Sequence, residues 1–399
     1  MDTMDTVYKD STKRNVALLA ACQALLFTNN STLIAINGLA GLALAPYIGL
    51  ATLPVTCWVL GGAIGTMPAS LHMKRVGRQR GLTSGTLWGV VGALICASAI
   101  WFQSFWLLCF GTLVFGVYNA YGQYYRFAAA DVATGDFKPV AISLVLAGGL
   151  IGGILGPQSS RLTIGLLAPK FMAAYLVLIG FALATMVLLR FIRIPTPSAA
   201  EATATGRPLR EIAAQPKFIV AVMAGAIGYG VMNFLMTSTP IAMQVCGHPY
   251  GDAAFVISSH IIGMFAPSFI TGPLIKRIGV LPVMFGGVVF NLCAIATALT
   301  GVSVPQFWFS LVLLGVGWNF LYIGGTTLLT ETYRPEERAR AQGTNEQAIF
   351  IMMAISSFTS GMTVTTAGWA RVNLFALPLV AVVGIALVWF AFRRQRIAA

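Results

Sequence analysis

Charge is what this chain has least of. Asp, Glu, Lys and Arg together make up 9% of its 399 residues, where a soluble domain carries about 25%. Water alone cannot solvate so ion-poor a surface, which excludes an ordinary soluble protein and makes the bilayer the expected solvent. Histidine is nearly absent: His72, His248 and His260 lie far apart and give no metal-ligand spacing, so no metal is expected. The six cysteines (22, 57, 96, 109, 246 and 293) stand singly, without a C-x-x-C pair, and five lie inside apolar stretches. They read as small buried hydrophobes rather than disulfides or metal ligands. There is no H-E-x-x-H, no G-x-S-x-G and no phosphate loop, so neither enzyme chemistry nor a cofactor is expected. The period-2 alternation of a membrane barrel is missing too. The first residues, Met1 to Asp10, are polar and acidic, so no cleavable signal peptide is expected ahead of the first span.

What is present is apolar length. Hydrophobic residues make up 57% of the chain, and runs of spanning length recur between short polar breaks. A membrane helix needs about 20 mostly apolar residues. The pattern predicts spans at 15–41, 47–71, 81–102, 105–131, 139–162, 171–192, 217–243, 252–274, 280–301, 307–331, 341–364 and 372–392. Backbone groups in hydrocarbon must be satisfied within the segment, so these are helices and the fold class is all-α membrane protein. The longest polar interval, 194–214, is rich in Pro, Ala and Thr. It reads as a cytoplasmic linker between one six-helix bundle at 1–193 and another at 215–399.

The basic residues orient the chain. With the N-terminus in the cytoplasm, 22 of the 25 lysines and arginines fall on the inside, and only Arg161, Lys170 and Arg371 fall outside. This asymmetry predicts cytoplasmic termini in a multi-pass protein of the inner membrane. It also accounts for the net charge of +13 through anionic lipid headgroups rather than nucleic acid. The expected partners are the lipid bilayer, a small-molecule solute and, as a coupled ion, protons; a monomer is expected.

The halves echo each other. Lys74-Arg75-Val76-Gly77 returns as Lys276-Arg277-Ile278-Gly279, an offset of 202. Asn119 in span four is followed twelve residues on by Asp131, and Asn319 in span ten twelve residues on by Glu331. Shared order and offset point to duplication, and parallel halves with a midplane site are a transporter architecture.

The loop Ser70-Leu71-His72-Met73-Lys74-Arg75-Val76-Gly77-Arg78-Gln79 resembles the loop 2–3 signature of the major facilitator superfamily, G-x-L-x-D-R-x-G-R-K, matching at Arg75, Gly77 and Arg78. Gly272 to Gly279 repeats it. The usual Asp is Lys at both 74 and 276. Gly152-Gly153-Ile154-Leu155-Gly156-Pro157 resembles the antiporter signature G-x-x-x-G-P of span five. The resemblance implies two six-helix bundles, transport by alternating access, and a central cavity lined by spans one, four, seven and ten.

Polar residues inside spans are costly and therefore the candidates for a site. On the four helices that the resemblance places at the cavity stand Asn29, Asn30, Tyr118, Asn119, Tyr121, Tyr229, Asn233, Trp318, Asn319 and Tyr322. Each Asn reads equally as interhelical glue. Tyr118 and Tyr121, three apart on one face, suit stacking on a flat organic ring. Tyr124 and Tyr125 read as an aromatic belt near the headgroups. His260 is the proton-coupling candidate. Gly148, Gly152 and Gly156, four apart on one face and followed by the bend-forming Pro157, read as a close helix-packing surface, static or sliding.

The resemblance implies an inside gate, here with its charges exchanged. Lys74 pairs with Glu346 at the start of span eleven, and Lys276 with Asp136 at the start of span five. Arg75 takes Asp131 and Arg277 takes Glu331, with Arg78 in the same loop. The function expected is secondary active transport of a small organic solute: proton-coupled efflux of a drug-like or aromatic metabolite by an antiporter. The alternative is uptake or facilitated diffusion of a vitamin-like or other neutral solute. A further class is a non-transporting membrane assembly or receptor protein, against which the lack of any soluble domain speaks. A site rich in Asn and Tyr suits a neutral or aromatic, partly polar molecule, such as a drug, a vitamin or a flavin-like compound. A sugar phosphate would want mid-span arginines, and the sequence shows none.

Overall fold

The computed structural model describes residues 2–47, 50–194 and 206–398. Most of the linker expected at 194–214 lies outside the described residues. Among the described residues the structure is helical, with no strand. The elements are α1 (Asp2–Leu44), α2 (Leu53–Val76), α3 (Arg78–Trp101), α4 (Phe105–Gly122), α5 (Tyr125–Val132), α6 (Phe137–Thr163), α7 (Met172–Arg190), the short α8 (Leu209–Ala213), α9 (Pro216–Val245), α10 (Tyr250–Phe265), α11 (Ser268–Ile278), α12 (Val280–Leu299), α13 (Val304–Leu329), a 3-10 turn at Pro335–Glu337, and α14 (Arg338–Ala398).

Ten described segments are long and apolar enough to cross a membrane. Two of the twelve expected spans are hidden in that number. Helix α2 has spanning length but carries His72, Lys74 and Arg75 among several glycines and threonines. Helix α14 is continuous on paper, but Gly368 breaks it at φ 78°, ψ 170°, so it holds spans eleven and twelve. Span four is itself interrupted, with Gln123 and Tyr124 in a turn between α4 and α5.

The chain folds as two compact units, 1–135 with 144–204, and 136–143 with 205–399. In the first unit α2 and α4 pack along a glycine seam. A Cβ at Gly61 would strike the Leu113 carbonyl, and one at Gly116 would strike that of Trp58. Small residues let helix backbones approach closely where lipid gives no hydrophobic drive. The face Gly148, Gly152, Gly156 of α6 lies against α1 in the same manner, touching Ala20, Ala24, Phe27, Thr28 and Ser31. Thr32 Oγ1 of α1 donates to the Gly156 carbonyl at 3.0 Å. Pro157 is exposed beside that seam. In the second unit α9 and α14 pack together, as do α12 and α13, with α10 against α13.

The repeated Lys-Arg-x-Gly sequence carries the same turn in each unit. Gly77 alone joins α2 to α3, and Gly279 alone joins α11 to α12. Their φ values are 89° and 90°, a region that side chains with a Cβ rarely enter. Each amide closes the preceding helix, onto Met73 at 3.0 Å and Ile275 at 2.8 Å.

Candidate functional site

In the first unit the polar residues of spans one and four form a ladder. Asn30 Nδ2 donates to Asn119 Oδ1 at 2.8 Å, and Gln123 Nε2 donates to the same oxygen at 3.2 Å. Arg126 Nη1 donates to the Gln123 carbonyl at 2.9 Å, and its guanidinium lies 4.6 Å from the Phe127 ring centre. Arg126 is 2% exposed. The charge pattern counts it only as one of the inside basic residues, since position near a span end gives no sign of burial. Asn29 is fully buried. Tyr118 Oη donates to Thr185 Oγ1 at 3.4 Å.

The tyrosines differ from their expected roles. Tyr124 and Tyr125 are fully buried, and Tyr124 Oη donates to the Thr66 carbonyl at 2.9 Å, so they form no headgroup belt. The Tyr118 and Tyr121 rings lie on Gly89 and Gly85 of α3, and Tyr121 Oη meets His72 Nδ1 at 2.8 Å. Gly89 and Gly85, four apart on α3, thus lie against one side of these two rings.

The stacking geometry is found in the second unit. Trp318 and Tyr322 of α13 stack with centroids 4.7 Å apart and planes 19° apart. Tyr229 of α9 meets Trp318 edge-on at 5.4 Å and Tyr322 at 5.6 Å. Phe265 of α10 also meets Trp318 edge-on, at 5.8 Å. Trp318, Tyr322 and Phe265 are buried, whereas Tyr229 is half-buried and forms the open edge. The Trp318 indole N–H is buried without an acceptor among the described residues.

The two asparagines nearby hold helices together. Asn319 Nδ2 donates to the Met264 carbonyl and to Ser268 Oγ, both at 2.6 Å, and Oδ1 accepts from Thr271 Oγ1 at 2.7 Å. Asn233 Nδ2 donates to Ser356 Oγ at 2.8 Å and Ser357 Oγ at 2.7 Å. Of the two readings each Asn allowed, this geometry favours glue for Asn319 and Asn233. His260 is fully buried. Its Nδ1 meets the Leu311 carbonyl at 2.7 Å; a carbonyl only accepts, so the proton sits on Nδ1 and Nε2 faces the interior.

Among the gate candidates, the structure pairs Asp131 with Arg78, Nε to Oδ2 at 2.9 Å, where the sequence reading expected Arg75. Arg78 opens α3 directly after the Gly77 turn, which aims it back toward α5, while Arg75 is exposed. Glu331 pairs with Lys217 at 2.9 Å rather than with Arg277, which is exposed on the last turn of α11. Lys276 and Asp136 are exposed and Lys74 is half-buried. Glu346 is fully buried, its Oε1 accepting from Asn345 Nδ2 at 2.7 Å.

One clamp was not foreseen. Arg207 Nε and Nη2 grip Glu337 Oε1 and Oε2 at 2.7 and 2.6 Å, and the Arg207 amide donates to Oε1 at 2.9 Å. Glu337 Oε2 also accepts from the Arg334 amide at 3.0 Å, and Arg207 Nη2 reaches the Thr332 carbonyl at 3.1 Å. The Arg207 hydrogen bonds, outweighing burial, hold the Glu337 carboxyl down at about 2. Among the described residues no group of three or more His, Cys, Asp or Glu could hold a metal ion.

A family model described as Major Facilitator Superfamily matches residues 18–266 and 248–398. The riboflavin transporter RfnT of Brucella anthropi is 41% identical over 382 residues, covering 94% of this chain and 95% of that one. The uncharacterized MFS-type transporter YddS of Bacillus subtilis is 29% identical, covering 86% and 83%. Among solved structures, the MFS transporter FucP superposes with a TM-score of 0.77 at 16% identity, covering 95% of this chain and 99% of that one. The human organic anion transporter MFSD10 superposes at 0.75 and 11% identity, covering 94% and 99%.

Proposed function

Because this chain belongs to the major facilitator superfamily, a family of membrane transporters and not of enzymes, we propose that its solute is of the riboflavin class: a flat, neutral, fused-ring molecule bearing a polyhydroxylated chain. The observation that carries this reading is the aromatic cluster of the second unit. A buried Trp–Tyr stack edged by the half-buried Tyr229 suits an aromatic edge against a flat ring system. The 41% identical relative is named for riboflavin, which supports the same class. Of the two sequence readings, the vitamin-like solute fits these observations better than drug efflux.

The orientation with cytoplasmic termini in the inner membrane, and the division into bundles at 1–193 and 215–399, belong to this reading, supported by the charge asymmetry. Competition tests the solute class. Excess riboflavin, and lumichrome, which keeps the ring and lacks the chain, should suppress labelled riboflavin uptake by cells expressing the protein, while ribitol alone should not. Suppression by ribitol and none by lumichrome would place recognition on the chain and overturn the aromatic site.

A further inference from the structure

The first unit holds a pair of thiols that sequence spacing does not suggest. Cys57 is the fifth residue of α2 and Cys109 the fifth residue of α4. The two helices run side by side in a constant register of 52 residues. Gly61 meets Leu113 and Gly65 meets Val117, where a Cβ on Gly65 would lie 3.1 Å from the Val117 Cα. One turn earlier in the same register, and so side by side across the seam, stand Cys57 and Cys109. Both are free thiols; Cys109 is buried and Cys57 is half-buried at the end of the seam. A disulfide needs Cα atoms about 4.4–6.8 Å apart, a separation that a glycine-lined seam allows and an ordinary helix pair does not.

We propose that Cys57 and Cys109 are a disulfide-forming pair, a redox staple between α2 and α4 within the first unit. The oxidant is a disulfide donor. The more exposed Cys57, as thiolate, attacks one donor sulfur and releases the first donor thiol, leaving a mixed disulfide. Cys109, having lost its proton, then attacks the Cys57 sulfur and releases the second donor thiol. The protein loses two electrons and two protons, and the donor gains both. On the orientation proposed above, this end of the helices faces away from the cytoplasm, where disulfides persist; the chemistry of the pair does not depend on that orientation.

The test uses purified full-length protein carrying Cys246→Ser and Cys293→Ser, which removes the two exposed thiols, treated with 4,4′-dithiodipyridine. The pair should release two equivalents of thiopyridone, and peptide mapping should find Cys57 joined to Cys109 with no pyridyl adduct. The unfolding temperature should rise on oxidation, return with dithiothreitol, and stay unmoved by the reagent in a further Cys57→Ser variant. A stable pyridyl adduct on Cys57, a link from Cys109 to Cys96 instead, or two thiols that remain alkylable would each overturn the proposal.

Discussion

Arg78 and Asp131 form an ion pair at 2.9 Å in which the two side chains are 7% and 8% exposed. It ties the start of α3 to the end of α5, across the loop whose Gly77 permits the reversal. Breaking a buried pair from one side leaves an uncompensated charge, at about 3–5 kcal/mol. Asp131→Asn is therefore expected to lower folded yield and unfolding temperature sharply. Arg75→Gln, on an exposed residue, should cost less than about 1 kcal/mol. Thermal unfolding in detergent compares the two, and equal shifts would contradict the assignment of Asp131 to Arg78.

Asn319→Ala should act on folding before it acts on transport. It strands the Ser268 hydroxyl and takes a donor from the Met264 carbonyl, while the Thr271 hydroxyl keeps its bond to the Pro267 carbonyl, each buried polar group left unpaired costing about 1–3 kcal/mol. Tyr229→Leu instead removes the half-buried ring at the edge of the aromatic cluster rather than a buried core side chain, so it should cost less yield and reduce riboflavin transport at least tenfold. Fluorescence-detected gel filtration beside transport rates separates the two effects.

The twelve spans, the repeat of Lys-Arg-x-Gly after spans two and eight, and the small-residue face of α6 were legible because each is a local pattern: apolar length, recurrence at a fixed offset, and residues four apart on a helix. Pairing was not. Arg75 and Arg78 stand three apart in one loop, and only the direction of the Gly77 turn decides which meets Asp131. Tyr118 and Tyr121 share a face as expected, but the sequence does not reveal that Gly85 and Gly89 of another helix cover it. The Arg207–Glu337 clamp joins residues 130 apart, with no motif at either end.

That clamp predicts an acid dependence. The Glu337 carboxyl sits at about 2 in the folded protein against an ordinary 4.5. A depressed carboxylate contributes stability that is complete above the unfolded value and is lost as pH falls through the folded one. Stability of the wild type should therefore decline between about pH 4.5 and 2, and that component should be missing in Glu337→Gln. Parallel stability–pH profiles for the two proteins would show that the clamp is not formed in solution.

We propose His260 as the residue to test for proton coupling, since its Nδ1 is occupied by the Leu311 carbonyl and its Nε2 is buried without a partner among the described residues. His260→Gln should abolish accumulation driven by a pH gradient and leave exchange of solute for solute intact. An unaltered pH dependence of accumulation would remove His260 from the mechanism.

The most direct measurement is counterflow in liposomes containing the purified protein and preloaded with unlabelled riboflavin. Labelled riboflavin added outside should accumulate transiently above its equilibrium level, and liposomes bearing an equal amount of folded Tyr229→Leu should show at least a tenfold slower overshoot. No overshoot with riboflavin from a correctly folded wild-type protein, or an undiminished overshoot in Tyr229→Leu, would contradict the account.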